Sequence, residues 1–161
     1  MNLIAKLLPQ SNIVLDTEAS SKKRMFEQVG LLFENNQSVA RSLVFDSLFA
    51  RERLGSTGLG QGVAIPHGRI KGLKEPIGAF LRLKTAVAFD APDGRPVNLI
   101  FVLLVPEQAT EQHLEILSEL AQMFSDRDLR QSLASVGDAA ALHQLISAWQ
   151  PYVADQRRAA V

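Results

Sequence analysis

The run from Val97 to Val105, Val-Asn-Leu-Ile-Phe-Val-Leu-Leu-Val, is apolar at every position except Asn98. A strand with one face in water alternates apolar and polar residues, whereas a strand buried on both faces is apolar throughout. We therefore predict that this run is a central β-strand, with helices covering both faces of its sheet. It is far shorter than the roughly 20 apolar residues of a membrane-spanning helix, so we expect no membrane insertion.

The rest of the chain alternates between helical and extended patterns, which is typical of an α/β or α+β fold. We predict a single domain with a central mixed β-sheet flanked by helices on both faces. Further strands are expected at residues 12–15, 63–65, 77–83 and 87–89, and a short helical turn at 69–73. Helices are expected at 3–8, from Glu18 or Ser20 to about 35, from Ser38 to about 54, from Thr110 onward, at 126–134 and at 138–149.

Two of these helices have predicted apolar stripes at helical spacing. In the helix that starts at Ser38, the stripe is Val39, Leu43, Phe45, Leu48 and Phe49. In the helix that starts at Thr110, it is Leu114, Leu117, Leu120, Ala121 and Phe124. Both helices are expected to pack on the sheet through these residues.

Length and composition narrow the classes of function. The 161 residues are enough for one compact domain; we assign it to residues 1–150 and expect a frayed tail at 151–161. Seventeen basic residues balance seventeen acidic ones, so the net charge does not indicate general binding to nucleic acid or to an anionic membrane. The chain has no cysteine, which excludes disulfides and thiolate catalysis. No signal peptide is recognisable, so the cytoplasm is the expected location.

A second run, from Arg51 to Arg69, combines arginines, glycines, hydroxyls and one histidine. Glycines let a backbone turn tightly and leave amide N–H groups free to face an anion, and arginine adds forked cationic donors. His67 follows Pro66 in this run and is the candidate reactive group. The predicted phosphate-binding loop comprises Gly55, Ser56, Thr57, Gly58, Gly60, Gly62 and Gly68.

Other interpretations of this run remain. A glycine-rich stretch is often only a loop, and a histidine after proline is often a turn residue. Nucleotide binding is disfavoured, because a P-loop would need lysine where Gln61 stands. A serine hydrolase is disfavoured as well, because the G-x-S-x-G pattern around the nucleophile is absent.

Two further histidines lie in predicted helices. His113 would be the third residue of its helix, among free N–H groups at the positive end of the helix dipole, although a histidine taken alone is more often packed or on the surface. His143 lies in the middle of a helix and is interpreted as structural. A zinc site would need a ligand beyond His67 and His113, and no His-Glu-x-x-His spacing occurs; we predict no metal.

The sequence from Gly55 to Gly68, Gly-Ser-Thr-Gly-x-Gly-x-Gly-Val-Ala-Ile-Pro-His-Gly, resembles the active-site signature of phosphotransferase-system IIA components of the fructose/mannitol type. In this chain the signature is preceded by Arg-Glu-Arg-Leu, and this form most resembles the nitrogen-regulatory members of that family. A second segment, His113-Leu-Glu-Ile-Leu117, resembles the helix start that carries the second active-site histidine. The resemblance covers about residues 3–150.

The resemblance implies a phosphohistidine carrier without a cofactor or bound metal. In similar domains the phosphoryl group is carried on Nε2 of the histidine at position 67, and His113 and Arg51 stabilise it with the glycine-loop amides. Arg69 is a candidate only, because that position varies. The implied donor is an HPr-like histidine phosphocarrier of the NPr type. The sequence does not identify the group that orients the imidazole of His67.

The resemblance leaves the downstream role open between two functions. One is regulation of target proteins, such as potassium transport or sensor-kinase proteins, by phosphorylation-dependent binding. The other is sugar transport, in which the phosphoryl group passes to a cognate IIB domain. The chain has no attached IIB-like cysteine segment, which favours regulation. A domain that kept the fold and lost the chemistry is disfavoured because His67, His113 and Arg51 are retained.

Overall fold

A mixed sheet of six strands lies between two layers of helices. The structure is a computed structural model that describes residues 2–108 and 111–150. Its helices are α1 (Leu3–Leu7), α2 (Lys22–Gln37), α3 (Arg41–Leu54), α4 (Glu111–Ser125), α5 (Arg127–Ser135) and α6 (Ala139–Ala148). Its strands are β1 (Ile13–Thr17), β2 (Gly58–Gly60), β3 (Val63–Ala64), β4 (His67–Ile70), β5 (Ile77–Val87) and β6 (Val97–Pro106). The predicted fold class is confirmed.

Strand β6 is the centre of the sheet. It runs antiparallel to β5 on one side, and on the other side it runs parallel to β3 and then to β4. β1 extends the sheet beyond β5 in the parallel sense, and β2 extends it beyond β3 in the antiparallel sense. The strands β3 and β4 therefore follow one another along the same edge of β6.

The side chains of β6 alternate between two separate apolar layers. One set packs with α1, α4, α5 and α6, and the other packs with α2 and α3. The first set is Leu99, Phe101, Leu103 and Val105, and the second is Ile100, Val102 and Leu104. Each such side chain contributes about 1.5–3 kcal/mol by burial. The prediction that this strand is central and buried on both faces is confirmed.

Asn2 holds the first and last described helices together. Its Oδ1 accepts the N–H of Ala5 at 2.9 Å, which caps the start of α1. Its Nδ2 donates to the carbonyls of Ile146, at 2.6 Å, and Trp149, at 2.8 Å, at the end of α6. An N-cap side chain contributes about 1 kcal/mol, and this one also satisfies carbonyls of a second helix.

A buried arginine that the sequence pattern did not predict joins strands β5 and β1 to helix α5. Arg82 on β5 is 6% exposed and donates to both carboxylate oxygens of Asp16, each at 3.0 Å. It also donates to the carbonyls of Leu133 and Val136 at the end of α5. The guanidinium fork suits such a set of acceptors because it carries five donors in one plane.

The junction between α2 and α3 differs from the prediction. The predicted N-cap Ser38 instead adopts the left-handed conformation, with φ 58°, and ends α2. α3 begins at Arg41, whose N–H donates to a carboxylate oxygen of Glu34 at 2.9 Å. The helix is therefore rotated: Val44 is buried and Leu43 is 48% exposed. A side chain from the preceding helix replaces the local cap, which spacing alone cannot reveal.

Two predicted elements around β5 also differ in part from the structure. Of the helical turn expected at residues 69–73, residues 69–70 belong instead to strand β4, which pairs with β6 in the parallel sense. A single turn follows, in which the N–H of Leu73 donates to the carbonyl of Ile70 at 3.2 Å. The strand expected at 77–83 continues to Val87 as one strand, β5, with a register irregularity between Arg82 and Val87, and residues 88–89 of the second expected strand lie outside it. Hydrogen bonding to the central strand overrides the local turn signals.

Two predictions lie outside the described residues, namely Thr110 as the N-cap of α4 and the frayed tail at 151–161.

Within the part of the chain that the structure describes, every helix is too short or too polar to cross a membrane.

Gly68 lets helix α3 and strand β4 come into close contact. A Cβ on this residue would overlap with Oγ of Ser47 on α3 and would lie 3.0 Å from its Cβ. The same Oγ donates to the carbonyl of Arg69 at 2.9 Å. Gly68 lies inside a strand and not in the predicted phosphate-binding loop, and helix packing explains its missing side chain.

We predict that Gly68→Ala lowers the free energy of unfolding by about 1–3 kcal/mol, because it overpacks the contact between α3 and β4. Adding Ser47→Ala should recover part of this loss by removing the nearest atom. Denaturant unfolding of the two single variants and the double variant measures the coupling.

The matched control is Gly137→Ala, because a Cβ there meets no atom within 4 Å, and its unfolding free energy should change by less than about 0.5 kcal/mol. Equal stability of the Gly68 and Gly137 variants would contradict the packing explanation.

Candidate functional site

The glycine run between α3 and β4 is folded into a tight hairpin. β2 and β3 pair antiparallel and are joined by Gln61 and Gly62, with φ 58° and 78°. Positive φ at both central residues is what a type I′ hairpin turn requires. Asp93 accepts the N–H of Gln61 at 2.8 Å and so holds the tip of the hairpin. The predicted phosphate-binding loop therefore contains a two-stranded hairpin.

Several polar groups of this hairpin face partners within the protein. The N–H of Thr57 donates to the carboxylate of Glu52 at 3.0 Å, and the N–H of Gly58 donates to Oγ of Ser56 at 3.0 Å. The Ser56 hydroxyl in turn donates to the carbonyl of Phe89. These donors already have partners within the protein, as does the N–H of Gly55, which donates to the carbonyl of Glu52 at 3.2 Å. Phosphate binding by the loop residues stays a prediction.

His67 begins strand β4 directly after a break in the hydrogen-bonding ladder. The pairing of β3 with β6 ends at Ala64, the pairing of β4 with β6 begins at His67, and Pro66 between them has no N–H to donate. At this break, Nδ1 of His67 lies 2.9 Å from the carbonyl oxygen of Ile65. A carbonyl can only accept, so Nδ1 carries the proton and Nε2 carries the lone pair. The orienting group that the sequence left open is a backbone carbonyl.

His113 approaches His67 from the other side of the site. It is the third residue of α4, as predicted, and its ring centroid lies 5.2 Å from that of His67, with 67° between the ring planes. The residue is 8% exposed, and its Nε2 is buried without a hydrogen-bond partner among residues 2–108 and 111–150. A buried polar atom without a partner is costly, so this nitrogen is suited to bind a group that enters the site.

Helix α4 is rotated relative to the prediction. Its buried residues are His113, Ile116, Leu120, Met123 and Phe124, so the predicted stripe is right at Leu120 and Phe124. Leu114 is 66% exposed and Ala121 is also exposed, while Leu117 is partly buried. The rotation places His113 toward the sheet and turns Leu114 outward.

Two arginines bring positive charge to the histidine pair. Arg51 lies in the last turn of α3, as predicted, and its Nη1 donates to the carbonyl of Gly55 at 2.8 Å. Arg69 lies two residues after His67 on β4, so the two side chains point to the same face of the strand. Its Nη1 donates to the carbonyl of Glu107 at 3.3 Å. The fold thus brings all four predicted side chains to one region.

Both histidines favour the neutral form. Burial lowers the pKa of His67 below its ordinary value of 6.5, and the charge of Arg51 lowers it too, while the hydrogen bond to Ile65 and the charge of Glu52 act in the opposite direction. Burial also lowers the pKa of His113, with smaller effects from His67 and Arg69. Because the unfolded chain binds these protons more readily, folding stability is lost as the pH falls from about 6.5 toward the folded-state values.

Sequence reasoning missed the buried carboxylate of Glu52. It accepts three donors: the N–H and hydroxyl of Thr57, and the ammonium of Lys22 at 2.9 Å. The only signal in the sequence was an acidic residue in the last turn of a helix, where the dipole disfavours negative charge.

The remaining histidine lies outside this region. His143 on α6 places Nε2 3.2 Å from the carbonyl of Ala5, and it joins α6 to α1 as the structural interpretation requires. Among the described residues, no group of three or more histidine, cysteine, aspartate or glutamate side chains is arranged to hold a metal ion.

Residues 6–149 match the family described as phosphoenolpyruvate-dependent sugar phosphotransferase system, EIIA 2. A nitrogen regulatory protein of Pseudomonas aeruginosa is 45% identical over 150 aligned residues, covering 89% of this chain and 94% of that protein. The crystal structure of nitrogen regulatory protein IIA-Ntr from Neisseria meningitidis matches with a TM-score of 0.85 and 58% identity, over 89% of this chain and 99% of that chain. A PTS system fructose-specific EIIA component of Haloferax volcanii is 33% identical over 131 residues, covering 81% of this chain and 85% of that protein.

Proposed function

The chain belongs to the EIIA type 2 family of the phosphoenolpyruvate-dependent sugar phosphotransferase system, and we propose that it carries a phosphoryl group on Nε2 of His67. The donor is a small histidine-phosphorylated carrier protein of the HPr-like, NPr type. The phosphorylated and unphosphorylated forms then bind regulated target proteins differently. Membership of the family supports phosphoryl carriage in general, and the geometry of the histidine pair supports the atom.

The observation that carries this proposal is the pairing of two unlike imidazole nitrogens. Nδ1 of His67 is occupied by the Ile65 carbonyl, which leaves Nε2 as the basic nitrogen. The buried Nε2 of His113 has no partner among the described residues, and its ring lies 5.2 Å from that of His67 between the centroids. We assign His113 the tautomer protonated at Nε2, so that it donates to a phosphoryl oxygen while His67 attacks phosphorus.

The transfer exchanges one nitrogen–phosphorus bond for another. The lone pair on Nε2 of His67 forms a bond to phosphorus, the bond between phosphorus and the donor's imidazole nitrogen breaks, and its electron pair stays on that nitrogen. Such a step needs positioning and charge stabilisation more than proton transfer. Arg51 supplies positive charge that is present at any physiological pH, and Arg69 is a second candidate for the same role.

Low pKa values suit both histidines to this step. A protonated His67 has no lone pair on Nε2 and cannot attack, and burial keeps the ring neutral at neutral pH. The two imidazoles therefore stay neutral while the arginines carry the charge that balances the phosphoryl group.

The regulatory role is supported by the relatives from Pseudomonas aeruginosa and Neisseria meningitidis, which are both named nitrogen regulatory proteins. Phosphorylation adds about −1.5 to −2 units of charge at a site that is otherwise neutral or positive. A target protein that docks over His67 is thereby attracted or repelled. Transport or sensor proteins for potassium are candidate targets.

We expect that His67→Ala abolishes acceptance of an acid-labile phosphoryl group from a phosphorylated histidine carrier protein. His113→Ala should slow transfer on the order of 10²-fold, as expected when one donor to a developing anion is removed, and should leave the fold intact. Rapid-quench transfer of radiolabelled phosphate, with circular dichroism of each variant, measures both effects.

His143→Ala is the matched control for these variants, because it removes a histidine that is outside the site, and it should transfer at the wild-type rate. A phosphoryl adduct that persists in the His67 variant would contradict the assignment of His67 as the acceptor. An unfolded His113 variant would mean that this residue has a structural role.

The second candidate function is sugar transport, which is favoured by the similarity to the fructose-specific component of Haloferax volcanii. In that case the phosphorylated protein donates to a IIB domain. We predict negligible donation when the phosphoprotein is mixed with fructose- and mannitol-type IIB domains. Donation at a rate comparable to acceptance from the carrier protein would replace regulation by transport as the function.

A further inference from the structure

Glu52 is a buried acidic residue in a place where helix stability disfavours one. It lies in the last turn of α3, where the carbonyl ends of the helix repel negative charge. Its side chain is only 4% exposed, and a buried carboxylate is costly unless it is paired and hydrogen-bonded. The transfer step described above gives it no role.

The carboxylate is fully engaged by donors from two other segments. Thr57 donates its N–H to Oε2 at 3.0 Å and its hydroxyl to Oε1 at 2.6 Å. Lys22 at the start of α2 donates to Oε2 at 2.9 Å, and its own side chain is 17% exposed. The carboxylate thus fixes Thr57, at the start of the glycine hairpin, to the ends of two helices.

From Thr57 a chain of hydrogen bonds continues to the imidazole. The carbonyl of Thr57 accepts the N–H of Ile65 at 3.0 Å. The carbonyl of the same Ile65 accepts Nδ1–H of His67 at 2.9 Å. The N–H and the carbonyl of Ile65 belong to adjacent peptide groups, so the bond to Thr57 restrains the residue whose carbonyl faces His67.

We propose that Glu52 is a positioning residue for phosphoryl transfer, which holds Thr57 so that the Ile65 carbonyl keeps the proton of His67 on Nδ1. It acts through Thr57 and Ile65 and not by contact with the reacting atoms. The inference rests on the proposed function of His67 as the phosphoryl acceptor. This role accounts for the presence of a buried carboxylate at the C-terminal end of a helix, where negative charge is unfavourable.

Loss of the Glu52 charge and loss of the local fold should shift the pKa of His67 in opposite directions. The negative charge of Glu52 raises the pKa of His67 and so opposes burial and the charge of Arg51. Removing that charge alone should therefore lower the pKa of His67 further. A general loosening of the site would expose the ring to water and raise its pKa toward 6.5.

The test is Glu52→Gln, with Thr57→Val as a milder variant that removes only the hydroxyl donor. We expect Glu52→Gln to slow acceptance of the phosphoryl group about 10-fold, within the range that a misplaced reacting group costs, and Thr57→Val to slow it less. Nitrogen-15 NMR of the imidazole should show a smaller fraction of the Nδ1–H tautomer and, for Glu52→Gln, a lower pKa of His67.

The matched control is Glu34→Gln. Glu34 also uses its carboxylate to accept a backbone N–H, that of Arg41 at 2.9 Å, but this contact lies at the junction of α2 and α3. This variant should keep the wild-type rate and tautomer.

Wild-type rate and tautomer in both Glu52→Gln and Thr57→Val would overturn the inference, as would a pKa of His67 that rises in Glu52→Gln. If Glu52→Gln does not fold, Thr57→Val decides alone. If the wild-type protein accepts no phosphoryl group, the proposed function fails, and the tautomer comparison still tests the positioning by Glu52.

Discussion

The hydrogen bond from Nδ1 of His67 to the carbonyl of Ile65 decides which nitrogen of the ring is basic. The pairing of β3 with β6 ends at Ala64 and that of β4 with β6 begins at His67, and Pro66 between them has no N–H. The interruption is narrow, since the carbonyl of Pro66 still accepts the N–H of Leu103 at 3.0 Å. The imidazole is therefore held by backbone on a rigid edge of the sheet, which is a more exact placement than a flexible loop provides.

The rest of the fold brings the other groups to this edge. Strand β6 is buried on both faces, so helices from two layers end near the same strands. α3 delivers Arg51 and Glu52 from one layer, and its close contact with β4 depends on Gly68. α4 delivers His113 from the other layer. The side chains come from α3, β4 and α4, and packing of these elements around β6 brings them together.

The sequence predicted the central strand, the two-layer architecture and the grouping of His67, His113 and Arg51, because periodicity and a specific motif carry that information. It failed where particular side-chain contacts decide. Ser38 ends a helix, and Glu34 of that helix accepts the first N–H of the next one. On α4, His113 is buried and Leu114 is exposed. The glycine run forms a hairpin whose tip Asp93 holds. The partners of Glu52 and Arg82 are likewise far apart along the chain.

The proposed phosphoryl transfer depends on Nε2 of His67 being the atom that carries phosphorus. The most direct measurement is a proton–nitrogen correlation spectrum of the protein labelled with nitrogen-15 histidine, after phosphorylation by a histidine carrier protein. We predict phosphorus coupling to Nε2 of His67, with the proton of that ring on Nδ1. Coupling to Nδ1 of His67, or to His113 or His143, would contradict the assignment of Nε2.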